Sequence, residues 1–368
     1  MLIGIVGRTN TGKSTFFKAS TLVEVEIANR PFVTIKPNHG IGYVRIKCIE
    51  SEFDVKCNPK EGFCINGNRF IPVELIDVAG LIEGAHLGKG LGNQFLNDLT
   101  QADVLINIVD ISGLTNEDGE IVVKGSYDPS NDIEFLTEEI DLWFLGILEK
   151  NWEKFTKQVK HENKELKKEI AKKFSGLKIT ENIVEHVMKK LNLTEISKEN
   201  LKLFSTELRK ISKPIIIVAN KIDIKNSDEN LKKIKEKFKD YMIIPCSSES
   251  ELALREAAKN NLISYIPGDK DFKILDESKL SIQQKNGLKF IKENVLDKYD
   301  STGVQEVLDK AVFNLLDYIT VYPVANSKLE DKNGKKLPDC LLILKNTTAL
   351  EFAFKIHTDI GNNFIKAV

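Results

Sequence analysis

The apolar run Leu2-Ile3-Gly4-Ile5-Val6 leads straight into Gly7-Arg8-Thr9-Asn10-Thr11-Gly12-Lys13-Ser14. No other stretch constrains the chain as tightly. The apolar run reads as a strand, the glycines as a tight turn, and the residues from Lys13 onward as the start of a helix. The spacing fits G-x-x-x-x-G-K-[ST], a loop whose successive N–H groups point at phosphate oxygens. Glycines allow the curl, and the helix adds the positive end of its dipole. A triphosphate would lie along Asn10, Thr11, Gly12, Lys13, Ser14 and Thr15. Lys13 would bridge its β- and γ-phosphates, and the Ser14 hydroxyl would ligate Mg²⁺.

Composition narrows the setting. At 368 residues the chain has room for two or three domains. Charged residues make up 29% and apolar ones 42%, the balance of a folded globular protein. A net charge of −1 gives no global reason to expect nucleic acid or an anionic membrane as partner. Apolar runs all fall short of the ~20 residues of a membrane span. The chain enters a strand at once, so no cleavable signal peptide is expected. A cytoplasmic monomer is the simplest expectation. Of the five cysteines, Cys48, Cys57 and Cys64 fall close together. Ordinary thiols, a Cys57–Cys64 bridge and a zinc site all remain open, although the tight C-x₂₋₄-C pair usual for zinc is missing.

Short β-rich runs at residues 2–6, 41–46, 73–76, 104–109, 215–219 and 242–244 alternate with helical patterns. That alternation predicts a parallel α/β sheet flanked by helices. From about residue 132 to 211 apolar residues recur at three- and four-residue steps, with Thr180 and Ser197 as N-caps. The narrow stripes predict a coiled-coil-like helical insertion. Residues 149–213 carry 17 Lys/Arg against 10 Asp/Glu, a net +7, which suits either a solvated face or an RNA contact. After Tyr318, two strands and a Thr348-capped helix form a small α+β unit, either cut short or packed on a neighbour. The expected domains are therefore 1–112 with 213–317, a helical insertion 113–212, and a C-terminal unit 318–368.

Three further segments sharpen the phosphate site. Asp77-Val78-Ala79-Gly80 ends an apolar strand. Asp77 can hold a water on Mg²⁺ there, and the Gly80 N–H can sense a γ-phosphate. Asn220-Lys221-Ile222-Asp223 follows another strand. The Asp223 carboxylate can accept from N1–H and the 2-amino group of guanine; adenine lacks both donors. The Lys221 stem would cover one face of the base, and Asn220 would tie the loop to the phosphate cradle. Cys246-Ser247-Ser248-Glu249 would offer guanine O6 a backbone N–H, that of Ser248.

Together these residues resemble the translation-factor-related GTPases, and more narrowly the Obg family. The narrower likeness rests on two segments. Pro31-Phe32-Val33-Thr34-Ile35-Lys36-Pro37-Asn38 resembles the family's switch I, which would make Thr34 a Mg²⁺ ligand. Gly84-Ala85-His86-Leu87-Gly88-Lys89-Gly90-Leu91-Gly92-Asn93-Gln94-Phe95-Leu96 resembles its glycine-rich switch II. The helical insertion and Phe352-Ala353-Phe354-Lys355-Ile356-His357-Thr358-Asp359-Ile360-Gly361 resemble the YchF subgroup. In that subgroup the last domain is a ubiquitin-like TGS module, which the resemblance implies here in an incomplete form. Many YchF relatives have a degraded N-K-x-D and prefer ATP, whereas Asp223 is retained here and favours GTP.

The residue after Gly80 is Leu81, where many GTPases carry a water-orienting glutamine. Leucine cannot do that. In potassium-activated relatives the asparagine corresponding to Asn10 helps hold K⁺ against the phosphates. His86 is another candidate to position or deprotonate water. Slow turnover is expected. Three functions fit these residues: a GTPase switch acting on the ribosome, an ATPase of the same fold, and an RNA- or ribosome-binding module that nucleotide only locks.

Overall fold

The computed structural model describes residues 1–21, 38–78, 84, 92–225, 227–324, 326–331 and 333–366. Its main sheet contains β1 (Leu2–Val6), β2 (His39–Lys47), β3 (Phe63–Ile65), β4 (Asn68–Asp77), β5 (Val104–Asp110), β6 (Ile215–Asn220) and β7 (Met242–Pro245). The strand order is β2-β4-β1-β5-β6-β7, with β3 paired to β4. β1 runs parallel to both β4 and β5, with Ile3 opposite Leu75 and Val104. β5, β6 and β7 continue in parallel. Every residue of β1, β5 and β6 is buried. Strands covered on both faces read as continuous apolar runs, which is why they were legible in the sequence. β4 begins at Asn68 rather than 73 because an antiparallel hairpin with β3 lengthens it. The hairpin turns at Asn66 and Gly67, both at positive φ (48° and 73°).

The helices α1 (Lys13–Thr21), α2 (Gly92–Gln101), α3 (Ser130–Glu149), α4 (Trp152–His161), α5 (Leu166–Lys173), α6 (Glu181–Lys190) and α7 (Leu201–Ser212) follow in chain order. The insertion is helical as expected, with the 20-residue α3 packed against α7, but among the described residues it is broken into several helices. α4 to α7 are 8 to 12 residues long, too short for sustained heptads. Breaks occur where Asn151, Asn163, Lys178 and Asn192 take positive φ. Leu136, Phe144, Trp152, Ile170, Phe174, Val184, Phe204 and Leu208 instead share one core with Leu2, Ile76, Phe95 and Leu105. α7 starts at Leu201 with Asn200, not Ser197, at its N-cap position. Thr180 does precede α6, but its side chain makes no cap hydrogen bond.

Two further helices, α8 (Ser227–Lys237) and α9 (Ser248–Lys259), flank β7. The pairs β8 (Ile263–Ser264) with β9 (Lys273–Ile274), and β10 (Tyr318–Val321) with β11 (Leu341–Leu344), are antiparallel. A helix Ala349–Ile356 follows, its start closed by a reciprocal capping box between Thr348 and Glu351.

The described residues of 1–41 and 73–307 form one compact unit, and those of 42–72 and 308–368 a second. Residues 113–212 thus belong to the first unit. In the second, buried Arg69 donates to the carbonyls of Leu337 and Pro338 at 3.3 and 2.9 Å. All five cysteines are free thiols. No helix among the described residues is long and apolar enough to cross a membrane.

Candidate nucleotide site

The phosphate loop, Asp77, Asn220, Asp223, Ser247 and Ser248 all lie at or just beyond the carboxyl ends of parallel strands in the first unit. Open α/β sheets bind ligands along that edge. Gly7 and Gly12 have φ of +150° and +96°. A Cβ on Gly7 would sit 2.5 Å from the Ile108 carbonyl oxygen, and one on Gly12 would sit 2.2 Å from Asn220 Nδ2. Both glycines are therefore required by backbone conformation and by space. Asn10 is at φ 61°, a left-handed position that asparagine tolerates. Ser14 and Thr15 fall in the first turn of α1, where N–H groups lack intrahelical partners.

Asn220 joins the loops. Its Nδ2 donates to the Thr11 carbonyl at 2.8 Å, and its Oδ1 accepts from the Ser248 N–H at 3.0 Å and hydroxyl at 2.9 Å. Asn220 is 2% exposed, so these bonds are sheltered from water. The tie expected from the sequence is thus present. It also engages the Ser248 N–H that had been expected to meet guanine O6. The next N–H along, that of Glu249, lies in the first turn of α9. Ser247 is the N-cap of α9, accepting from the Ser250 N–H.

Lys221, at φ 63°, donates to the Asn10 carbonyl at 2.8 Å and pairs with Asp110 at 2.7 Å. Asp110, 1% exposed, also accepts from the Ser112 N–H and hydroxyl and from the Thr115 hydroxyl. Asp223 is half-buried, and among the described residues its carboxylate makes no hydrogen bond or ion pair. Lys13 reaches the Val78 carbonyl at 3.5 Å. Burial pushes the Asp77 carboxyl above its ordinary range, opposed by the Lys13 ammonium. Asp77 Oδ1 is buried without a hydrogen-bond partner among the described residues. A cation-bound water would satisfy that oxygen, so the side chain fits the Mg²⁺ role.

Sequence reasoning missed a brace around the loop's variable positions. Arg8 Nε pairs with Asp132 at 2.9 Å, and its guanidinium lies 3.9 Å from the centre of the Phe135 ring. Arg8 also donates to the Glu117 carbonyl at 3.1 Å, and Asn10 Nδ2 donates to that of Gly119 at 2.7 Å. Burial lifts the Asp132 carboxyl to about 6, against the pull of Tyr127 and Arg8. Asp110 directly ends an apolar strand, a signal that was available. Asp132 carried no such mark.

Thr34, Gly80, Leu81 and His86 lie outside the described residues.

Comparison with known proteins narrows the chemistry of this edge. Residues 2–142 match the family described as 50S ribosome-binding GTPase, and residues 218–326 the one described as Obg-like GTPase YGR210-like, G4 motif-containing domain. A GTP-binding protein of Methanocaldococcus jannaschii, itself described as uncharacterized, is 46% identical over 370 residues, covering 100% of this chain and 93% of its own. A protein of Bacillus subtilis described as ribosome-binding ATPase YchF is 28% identical, over 99% and 87% of the two chains. The crystal structure of a GTP binding protein from Pyrococcus horikoshii OT3 matches with a TM-score of 0.78 at 39% identity, over 99% of this chain and 92% of that one.

The chain is an Obg-family GTPase of the YchF type. As such it is a P-loop nucleoside-triphosphate hydrolase, of a class that generally uses Mg²⁺. In this Obg-family member the hydrogen bonds among Thr11, Asn220 and Ser248 join the loop after β1 to the end of β6 and the start of α9.

Proposed function

We propose that this chain binds GTP in preference to ATP and hydrolyses it slowly as a conformational switch in the cytoplasm, in association with the ribosome or its RNA. The observation that carries the base preference is the half-buried Asp223 carboxylate, unpaired among the described residues and three residues beyond the Asn220 clasp. A free carboxylate there accepts the two donors of a guanine edge, and adenine would leave it unsatisfied. The Glu249 N–H, one residue past the engaged Ser248, is the donor assigned to guanine O6. Lys13 and the N–H groups of residues 10–15 hold the phosphates. Ser14, Thr34 and, through water, Asp77 would hold Mg²⁺, which supplies positive charge to the β- and γ-phosphate oxygens when bound. The Leu81 side chain offers no polar atom to water. The Asn10 Oδ1, whose Nδ2 is already committed to Gly119, is assigned to K⁺, with His86 a second candidate for ordering water.

Two observations support the ribosomal reading: the description of the family matched by residues 2–142, and the name of the B. subtilis relative. That name also keeps ATP as the competing nucleotide. Residues 318–368 are read as a TGS-like unit and residues 149–213, at net +7, as the basic contact. Asp223→Asn should erase the guanine preference while leaving phosphate binding intact. Ribosome co-sedimentation should differ between the GTP- and GDP-loaded chain. Equal co-sedimentation with either nucleotide or none would sink the switch reading.

A further inference from the structure

The second unit gathers Cys48, Glu50, Cys57 and Cys64. One ligand atom from each, three sulfurs and a carboxylate oxygen, lies within 4.8 Å of the others. We propose that these four side chains form a structural site for a thiophilic divalent cation, Zn²⁺, bound by three thiolates and one carboxylate. In the sequence the tight C-x₂₋₄-C pair usual for zinc is missing. The fold supplies a close pair of another kind: Cys48 directly follows β2, and Glu50 lies in the helical turn Ile49–Ser51.

The geometry selects this chemistry. A Zn–S bond of about 2.3 Å places tetrahedral ligand atoms about 3.8 Å apart, which this spread accommodates around a single ion. A polynuclear iron–sulfur cluster distributes its cysteines over several irons and needs them farther apart. A disulfide uses two thiols and leaves the third, with the carboxylate, unexplained. Cys48 and Cys57 are 1% and 8% exposed. Among the described residues Glu50 has no Lys or Arg partner; it accepts from the Cys57 N–H at 3.0 Å and from the Cys64 thiol at 3.7 Å. Three thiols and a carboxylate packed together repel once ionised, and a divalent cation removes that repulsion. Binding would release up to three thiol protons as the metal–sulfur bonds form.

The cluster also sits where a staple is useful. From Glu52 to Gly62 the backbone forms no regular element. That stretch is held by the Cys48 N–H to Gly67 carbonyl bond, and by the Asn58 and Lys60 N–H groups donating to the carbonyls of Lys336 and Pro338. Cys48, Cys57 and Leu337 share a small core with Val55, Tyr322 and Leu329. A core this small gains most from a metal tie.

The whole chain, purified under reducing conditions without chelator, should carry about one zinc per molecule by elemental analysis. Replacement by Co²⁺ should give a thiolate-to-cobalt charge-transfer band with tetrahedral d–d bands. Glu50→Cys should keep the metal and strengthen the charge-transfer band; Glu50→Ala should weaken zinc binding by about tenfold or more. Nucleotide binding stays as a control on folding of the first unit. A metal-free chain that gives no cobalt charge-transfer band refutes the site, as does an intact mass showing a disulfide among these cysteines. Iron in place of zinc overturns the metal assigned.

Discussion

Replacing Asn220 with alanine tests the clasp. The side chain makes three hydrogen bonds of 2.8 to 3.0 Å, to the Thr11 carbonyl and to the N–H and hydroxyl of Ser248. Alanine removes all three and leaves the Thr11 carbonyl and the Ser248 N–H without that partner in a buried setting. At about 1 kcal/mol for each bond, the loss is about 3 kcal/mol. That corresponds to a loss of nucleotide affinity of up to about 100-fold. Whatever part is not felt in binding should appear as a lower unfolding temperature of the free chain, since the clasp links two loops of one unit. Both ends of the Asn220 amide are taken up by Thr11 and Ser248, and the base preference is assigned to Asp223. Affinities for GTP and ATP should therefore fall together, with their ratio unchanged. Titration with fluorescent guanine and adenine nucleotides, alongside thermal unfolding, reads both quantities. An Asn220→Ala chain with unaltered affinity and stability would refute the clasp. A changed GTP/ATP ratio would show that Asn220, rather than Asp223, reads the base.

Three other outcomes are expected. Asp132 has a folded pKa pushed up to about 6, above the ~3.9 of an unfolded chain, so the folded state holds the proton more tightly. Its stabilisation is complete below about pH 4 and is lost as pH rises through about 6, by about 3 kcal/mol; Asp132→Asn should lack this slope in denaturant unfolding, and equal slopes would contradict it. Turnover should drop when K⁺ is exchanged for Na⁺ at constant ionic strength, and equal rates would remove Asn10 from the mechanism. Thr348→Ala breaks the capping box of the C-terminal helix and should cost the second unit about 1 kcal/mol, read as earlier amide exchange in residues 349–356; unchanged exchange would contradict the cap.

Much of the sheet was readable because its central strands are buried on both faces and so appear as unbroken apolar runs. The clasp was readable too, since Asn220 follows one such run directly. The helical insertion was read correctly in period but not in packing. Asn151, Asn163, Lys178 and Asn192 turn the chain through positive φ, and an isolated asparagine or lysine in a charged helical sequence does not advertise that. Glu50 went unrecognised beside the cysteines because only the hairpin at Asn66-Gly67 and the turn after Cys48 bring it there. The Arg8–Asp132 pair joins residues far apart in the chain, and neither periodicity nor motif spacing carries that information.

The GTP preference proposed for this Obg-family edge turns on Asp223 reading guanine. The decisive measurement is equilibrium titration of the intact chain with GTP and with ATP, in K⁺ and Mg²⁺. GTP should bind at least about tenfold more tightly, and the preference should disappear in Asp223→Asn. Equal or tighter binding of ATP by the unmodified chain would contradict that role.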